Sequence, residues 1–218
     1  MTDDPPETDW DSLAGTTAIE SDFALETSAQ VTARKTITRP RHRKCLSAIK
    51  AEELASFFET LPAPGETIHM VSNGRFDYWL LAPRTQELIG HPCTFYGSTW
   101  TMNRANVLQL LQLFDTGRFD QIAILTGTYF KKRESAVANT LIEGITSRRQ
   151  RFLAFQNHAK VMLLGCAKSD TWISIEGSAN FTANPRLEQN TVTNDRDLYR
   201  FHQTWMDDIL SAPSKGDI

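Results

Sequence analysis

From His91-Pro92 onward the chain alternates short apolar runs with amphipathic stretches in the order strand, helix, strand, helix, strand. That order restricts it to an α/β layer in which helices cover a sheet. CTFYGSTW and QIAILTGTYF read as strands. RANVLQLLQLFDTG reads as a helix that turns Val107, Leu110, Leu111 and Phe114 inward and ends at Gly117. RESAVANTLIEGITSRRQ follows as a helix carrying Val137, Leu141, Ile142 and Ile145, and a last helix from about Asp195 to Leu210 places Leu198, Phe201, Trp205 and Ile209 in register. Upstream, AIKAEELASFFETL from near Leu46 has helical periodicity, with Ile49, Leu54, Phe57, Phe58 and Leu61 on one face and Pro62 and Pro64 ending it. ETIHMVSNGRF and DYWLLAPRT then read as a strand or hairpin turning at Asn73-Gly74.

Chemistry-bearing residues concentrate between Phe152 and Glu188. His158 and Lys160 are two apart in an apparently extended run, so a strand projects both from one side. Ser178 and Asn180 are also two apart and lie just after TWISIE, a second short strand ending at Gly177. If these two strands pair, an imidazole, an ammonium, a hydroxyl and a carboxamide face one pocket.

The stretch resembles the phospholipase D superfamily signature, His-x-Lys followed by Gly-Ser-x-Asn, here HAK at 158–160 and GSAN at 177–180. NPRLEQ looks like the segment where that family carries an acidic residue, which makes Glu188 the candidate carboxylate behind the imidazole. The signature also has an Asp five residues after the Lys. Gly165 stands there instead, and Asp170 lies in the CAKSD loop that follows. The resemblance implies an α/β fold with a phospholipase D-like mixed sheet flanked by helices on both faces, over residues 45–218. It implies a phosphohistidine intermediate at His158 with no metal and no cofactor, Lys160, Ser178 and Asn180 stabilising the phosphoryl oxygens. It further implies that two His-x-Lys motifs make one site. This chain has one, so the expected partner is a second copy of itself in a homodimer with a shared site.

Charge is segregated along the chain although the net value is only -3. Residues 1–30 carry acids and no Lys or Arg, whereas RKTITRPRHRK (34–44) carries Arg34, Lys35, Arg41, Arg43 and Lys44 and no acid. Residues 1–44 lack sustained periodicity and read as a disordered tail. Lys131, Lys132 and Arg133 form a second basic cluster after a strand, just before a helix start that its dipole makes unfavourable for cations, which leaves phosphate contact and a solvated turn as the two readings. Members of the family with a single motif include small endonucleases, so the resemblance implies a DNA substrate, with RNA as an alternative, and the basic clusters agree with it. A catalytically inactive nucleic-acid-binding module and a lipid phosphodiesterase are the competing readings.

Other classes find no support. His42, His69, His91 and His202 form no metal-binding spacing, and Gly-rich phosphate loops are absent. The longest apolar runs are far below the ~20 residues of a membrane span, and MTDDPPETDWD is acidic where a secretory signal is basic and then apolar. With three cysteines in no ligand spacing, the expected compartment is the reducing cytoplasm.

Overall fold

Val161–Cys166, VMLLGC, is buried at every position and hydrogen-bonded along both edges, as a central strand with helices on both faces must be. The structure is a computed structural model that describes residues 43–49, 54, 58–73, 76–184 and 186–212, with backbone only for 43–49 and at 73, 76 and 184. The described elements lie in one unit, Pro40–Ile218. Its strands are β1 (Arg43–Ile49), β2 (Thr67–Asn73), β3 (Phe76–Asp77), β4 (Cys93–Thr99), β5 (Phe119–Gly127), β6 (Arg151–Phe155), β7 (Val161–Cys166), β8 (Thr171–Gly177), β9 (Ala183–Asn184) and β10 (Leu187–Asn194). Its helices are α1 (Leu81–Ile89), α2 (Arg104–Asp115), α3 (Thr128–Arg133), α4 (Ser135–Ser147) and α5 (Arg196–Ser211).

Among the described residues the main sheet has eight strands in the order β1-β2-β10-β8-β7-β4-β5-β6, and β3 pairs with β9 apart from it. β4, β5 and β6 are parallel, and the helices α2 and α4 make the crossovers between them. β7 runs antiparallel to β4 and to β8, and β10 antiparallel to β8 and β2. The result is a mixed α/β sheet flanked by helices on both faces.

Strand alternation divides the core. Phe95, Ile122, Ile124, Met162 and Leu164 point to one face, where they meet Trp79, Leu81, Val107, Leu110, Leu141 and Ile145. Tyr96, Ala123, Leu125, Val161 and Leu163 point to the other, under Tyr199 and Met206 of α5. Each fully buried Leu of β7 contributes about 2 kcal/mol of apolar burial. α2 opens at Asn103, whose side chain accepts from Asn106 N at 2.9 Å, and closes at Gly117 with φ 71°. α5 opens at Asp195, which accepts from Asp197 N and Leu198 N.

Three expectations are corrected here. The stretch from Leu46 to Ile49 is the second half of β1, parallel to β2, rather than the start of a helix; Leu54 beyond it is helical. The helical periodicity of one isolated stretch gave way to edge pairing on β2. There is no β2–β3 hairpin, because β3 pairs with β9 and Tyr78–Leu80 winds into a 3-10 turn leading to α1, started by Asp77 accepting from Trp79 N at 3.0 Å. In α5 the period is right and the phase is off: Tyr199, His202 and Met206 face the sheet while Phe201 is 59% exposed. A buried histidine is accommodated because Trp205 Nε1 donates to its Nδ1 at 3.0 Å and Glu176 lies 3.3 Å from Nε2. Of the expected tail, Arg43 and Lys44 begin β1, and residues 1–42, including Arg34, Lys35 and Arg41, lie outside the described residues.

Gly165 sits beneath α5. A Cβ there would come 2.5 Å from the Tyr199 hydroxyl oxygen and 2.7 Å from its Cζ, against a ring that is itself buried. The space beside Gly165 is therefore filled by the Tyr199 ring. Gly165→Ala is expected to cost about 1–3 kcal/mol by overpacking, and Gly165→Asp more, because it adds a buried carboxylate. Urea unfolding checks this as a lowered midpoint with unchanged slope.

Candidate phosphodiester site

The carboxyl ends of β4, β5 and β6, the start of β7 and the end of β8 meet at one edge of the sheet, where open α/β sheets bind ligands. His158 and Lys160 lie here in the irregular segment 156–160 between β6 and β7, not in a strand as expected. Asn157 is the reason. Its side chain accepts from Ala159 N at 3.0 Å, an Asx turn that takes the backbone out of the ladder. Its amide donates to Ser98 Oγ at 3.0 Å and to Thr99 O at 3.3 Å, while Ser98 Oγ donates to Ala159 O at 3.2 Å. Both Asn157 and Ser98 are buried, so the histidine loop is pinned to the end of β4.

The two motif side chains meet by folding back rather than by strand alternation. Lys160 Nζ lies 2.8 Å from His158 Nδ1, 3.1 Å from Nε2 and 2.8 Å from the His158 carbonyl oxygen. Lys160 thus has two partners in His158, the ring and the carbonyl oxygen. Lys160 is 8% exposed, while His158 is exposed to solvent. Burial lowers the Lys160 pKa from its ordinary value, and the negative charge of Glu188 acts in the opposite sense.

The second motif lies alongside. β7 and β8 pair with Val161 opposite Glu176, and Gly177 N donates to Lys160 O at 3.2 Å. Gly177 admits no side chain: a Cβ would stand 2.3 Å from Asn190 Oδ1 and 2.8 Å from the Tyr78 ring. The Ser178 hydroxyl makes a short hydrogen bond to Glu188 Oε2 on β10 and accepts from Gln189 N at 3.2 Å. Glu188 thus holds Ser178 and acts on Lys160 through its charge, whereas the group within hydrogen-bond reach of the imidazole is Lys160. Asn180 Oδ1 is buried and has no hydrogen-bond partner among the described residues, nor have the two amide atoms of Asn190. A cleft of about 320 Å³ opens beside Ser178, lined by Glu176, Gly177, Ser178, Gln189, Asn190 and Thr191.

The basic residues divide. Lys131, Lys132 and Arg133 are exposed; they occupy the last turn of α3 and stand directly before α4, which opens at Ser135. The α3 C-terminus favours cations while the α4 N-terminus disfavours them, so the dipole argument alone does not single out a ligand there. Arg148 makes a two-point ion pair with Asp115, and Arg151 joins Asp207 and the Tyr96 hydroxyl. Beside the site the indole of Trp100 lies 5.9 Å from the His158 ring and stacks on Tyr129.

Sequence reasoning missed Asn157, Ser98 and Trp100. The Asn immediately before His158 was the one available signal, since Asn favours turns over strands. Among the described residues no three His, Cys, Asp or Glu side chains cluster as metal ligands. An imidazole in contact with a buried ammonium is an arrangement able to attack and stabilise a phosphoryl group.

No protein-family model matches this chain, and no curated protein does. Among solved structures it is similar to a phospholipase D family member, Nuc from Salmonella typhimurium, at 16% identity and a TM-score of 0.41, over 54% of this chain and 76% of that one. It is similar to polyphosphate kinase from Porphyromonas gingivalis at 13% identity and 0.43, over 64% of this chain and 22% of that one. TrmBL2, an archaeal chromatin protein with a novel mode of DNA binding, gives 13% identity and 0.44, over 74% and 57%. These are distant likenesses.

Removing the Asn157 amide unpins the loop. Asn157→Ala is expected to destabilise the fold by about 2 kcal/mol, from buried hydrogen bonds lost and partners left unsatisfied. Urea unfolding measures that cost directly.

Proposed function

We propose that this protein is a metal-independent phosphodiesterase of the phospholipase D type that cleaves nucleic acid, DNA foremost, through a phosphohistidine at His158. The observation that carries the reading is the exposed imidazole of His158 held against the buried ammonium of Lys160. The His-Lys and Gly-Ser-x-Asn motifs and their convergence at the ends of β7 and β8 support it. In the first step the Lys160 ammonium leaves the ring for the non-bridging oxygens, the imidazole nitrogen so freed attacks phosphorus, and the bond to the leaving alkoxide breaks, its oxygen taking a proton from a general acid. Water then attacks the phosphohistidine, releasing the phosphate monoester and restoring the imidazole. Lys160 offsets the charge that gathers on the non-bridging oxygens, and Asn180 adds its amide from a fixed position. Ser178 passes the Glu188 carboxylate's influence into the site.

The general acid comes from a second copy. One motif supplies one imidazole, so the reading takes a homodimer in which His158 of the partner subunit protonates the leaving oxygen. Exposed Lys131, Lys132 and Arg133 are the candidate phosphate contacts along the strand, with Arg34, Lys35, Arg41, Arg43 and Lys44 as further ones.

The test is cleavage of labelled duplex and single-stranded DNA in EDTA by wild type and His158→Ala. Wild type is expected to cut and the variant to lose at least about 10³-fold in kcat. Retained cutting by the variant removes the mechanism. Salt-dependent binding by both proteins with cutting by neither favours the non-catalytic module instead, and turnover of lipid diesters alone redirects the substrate.

The pH profile carries a second check. Lys160 must be charged to act, and burial places its folded pKa below the usual lysine range. Activity should therefore fall as pH rises through a value under that range. Glu188→Gln removes the charge that favours the ammonium, so the alkaline limb of kcat/KM is expected to move further toward neutral pH.

A further inference from the structure

Gly127 ends β5 without a side chain, and a Cβ there would lie 2.4 Å from Cδ1 of Trp100 and 3.0 Å from its carbonyl oxygen. That space lets the Trp100 indole lie across the end of β5. Tyr129, two residues further on, stacks on it with centroids 4.9 Å apart and planes 5° from parallel. On its other side Trp100 reaches the His158 ring at 5.9 Å, tilted by 50°. Tyr129 keeps 44% of its surface exposed although Trp100 covers one face. Arg133, one turn along α3, brings its Nη1 within 3.3 Å of the Tyr129 hydroxyl, with its guanidinium carbon 5.7 Å from the ring centroid. Lys131 and Lys132 are exposed on the same turn.

An imidazole, an indole, a phenol and a guanidinium thus follow one another outward from the site along the carboxyl ends of β4 and β5. Trp100 is half-buried over Gly127, and this packing does not call for a half-exposed tyrosine laid flat at the outer end beside Arg133. We propose that Tyr129, seated on Trp100 and flanked by Lys131, Lys132 and Arg133, is a stacking platform for an unpaired nucleobase of the substrate strand, so that the site takes single-stranded nucleic acid in preference to duplex. Every base has a π face, and in a duplex its neighbours cover both faces; an unpaired base is free to use the ring, while the cations meet the flanking phosphates. DNA and RNA strands serve alike, since the ring reads neither sugar nor sequence. This proposal rests on the phosphodiesterase reading for its link to turnover, and its binding limb stands apart from it.

The experiment uses the full chain and its Tyr129→Leu and Tyr129→Trp variants, each checked for native folding by urea unfolding. Single-stranded DNA and RNA carrying 2-aminopurine report stacking by fluorescence quenching. Steady-state cleavage of a single strand, the same strand with abasic sites, and its duplex is compared with hydrolysis of bis(4-nitrophenyl) phosphate, a diester without a base. Wild type is expected to quench, to prefer the single strand, and to handle the abasic strand poorly. Tyr129→Leu should lose the quenching and raise KM for the single strand about tenfold, lowering the ratio of strand cleavage to small-diester hydrolysis, and Tyr129→Trp should restore both. Equal use of single strand and duplex by wild type overturns the platform. So does a leucine variant that loses both substrates in the same proportion, because Tyr129 then only props Trp100 and His158. A wild type that quenches with tyrosine dependence but hydrolyses neither substrate supports the platform and removes the phosphodiesterase reading.

Discussion

Everything at the site depends on β7 being held on four sides. Hydrogen bonds to β4 and β8 fix its edges, and apolar layers against α1 and α5 fix its faces. A strand so held cannot slip by one residue without turning its whole apolar set to the wrong face. Its first residue, Val161, is therefore a fixed point, and Lys160 immediately before it inherits that position. The pairing of Val161 with Glu176 then sets Gly177 beside Lys160, which brings the two motifs together.

The histidine needs a different device, because it stands three residues before the strand in a segment with no ladder of its own. Asn157 and Ser98 supply it by tying the loop to β4 through side-chain hydrogen bonds in a buried setting, where leaving one of them unmade is costly. Lys160 completes the arrangement. Its burial makes the ammonium expensive, and the carbonyl and ring nitrogen of His158 are what it receives in exchange for water.

The fold was legible where burial imposes a period. The strands around Phe95, Ile122, Leu163 and Ile173 and the helices at Val107 and Leu141 all stood out in the apolar pattern, because a helix-covered parallel sheet leaves its strands little freedom to be polar. It was illegible where local signals compete. Leu46–Ile49 shares its apolar spacing with a helix, yet pairs on β2; DYWLLA has strand-like residues, yet Asp77 caps a turn. In α5 the phase was lost because a histidine, not a phenylalanine, takes the buried place, and only its partners Trp205 and Glu176 explain that. The residue types of the site were legible as motifs, while their geometry was not: strand alternation was the wrong reason for His158 and Lys160 to meet, and the bond from Ser178 to Glu188 could not be read from their spacing.

The hydrogen-bond inventory also bears on how a reaction could run. Cleaving a diester needs a proton for the departing oxygen as well as a nucleophile. In this chain the Lys160 ammonium is directed at His158 and the Ser178 hydroxyl at Glu188, so both protons lie in bonds that hold the site together. Asn180 and Asn190 offer amides, which stabilise charge but do not transfer protons at working pH. Under the proposed reading the remaining requirement is a group that titrates near neutrality, and imidazole is the side chain that does so unperturbed; a second copy of His158 is the group that reading takes.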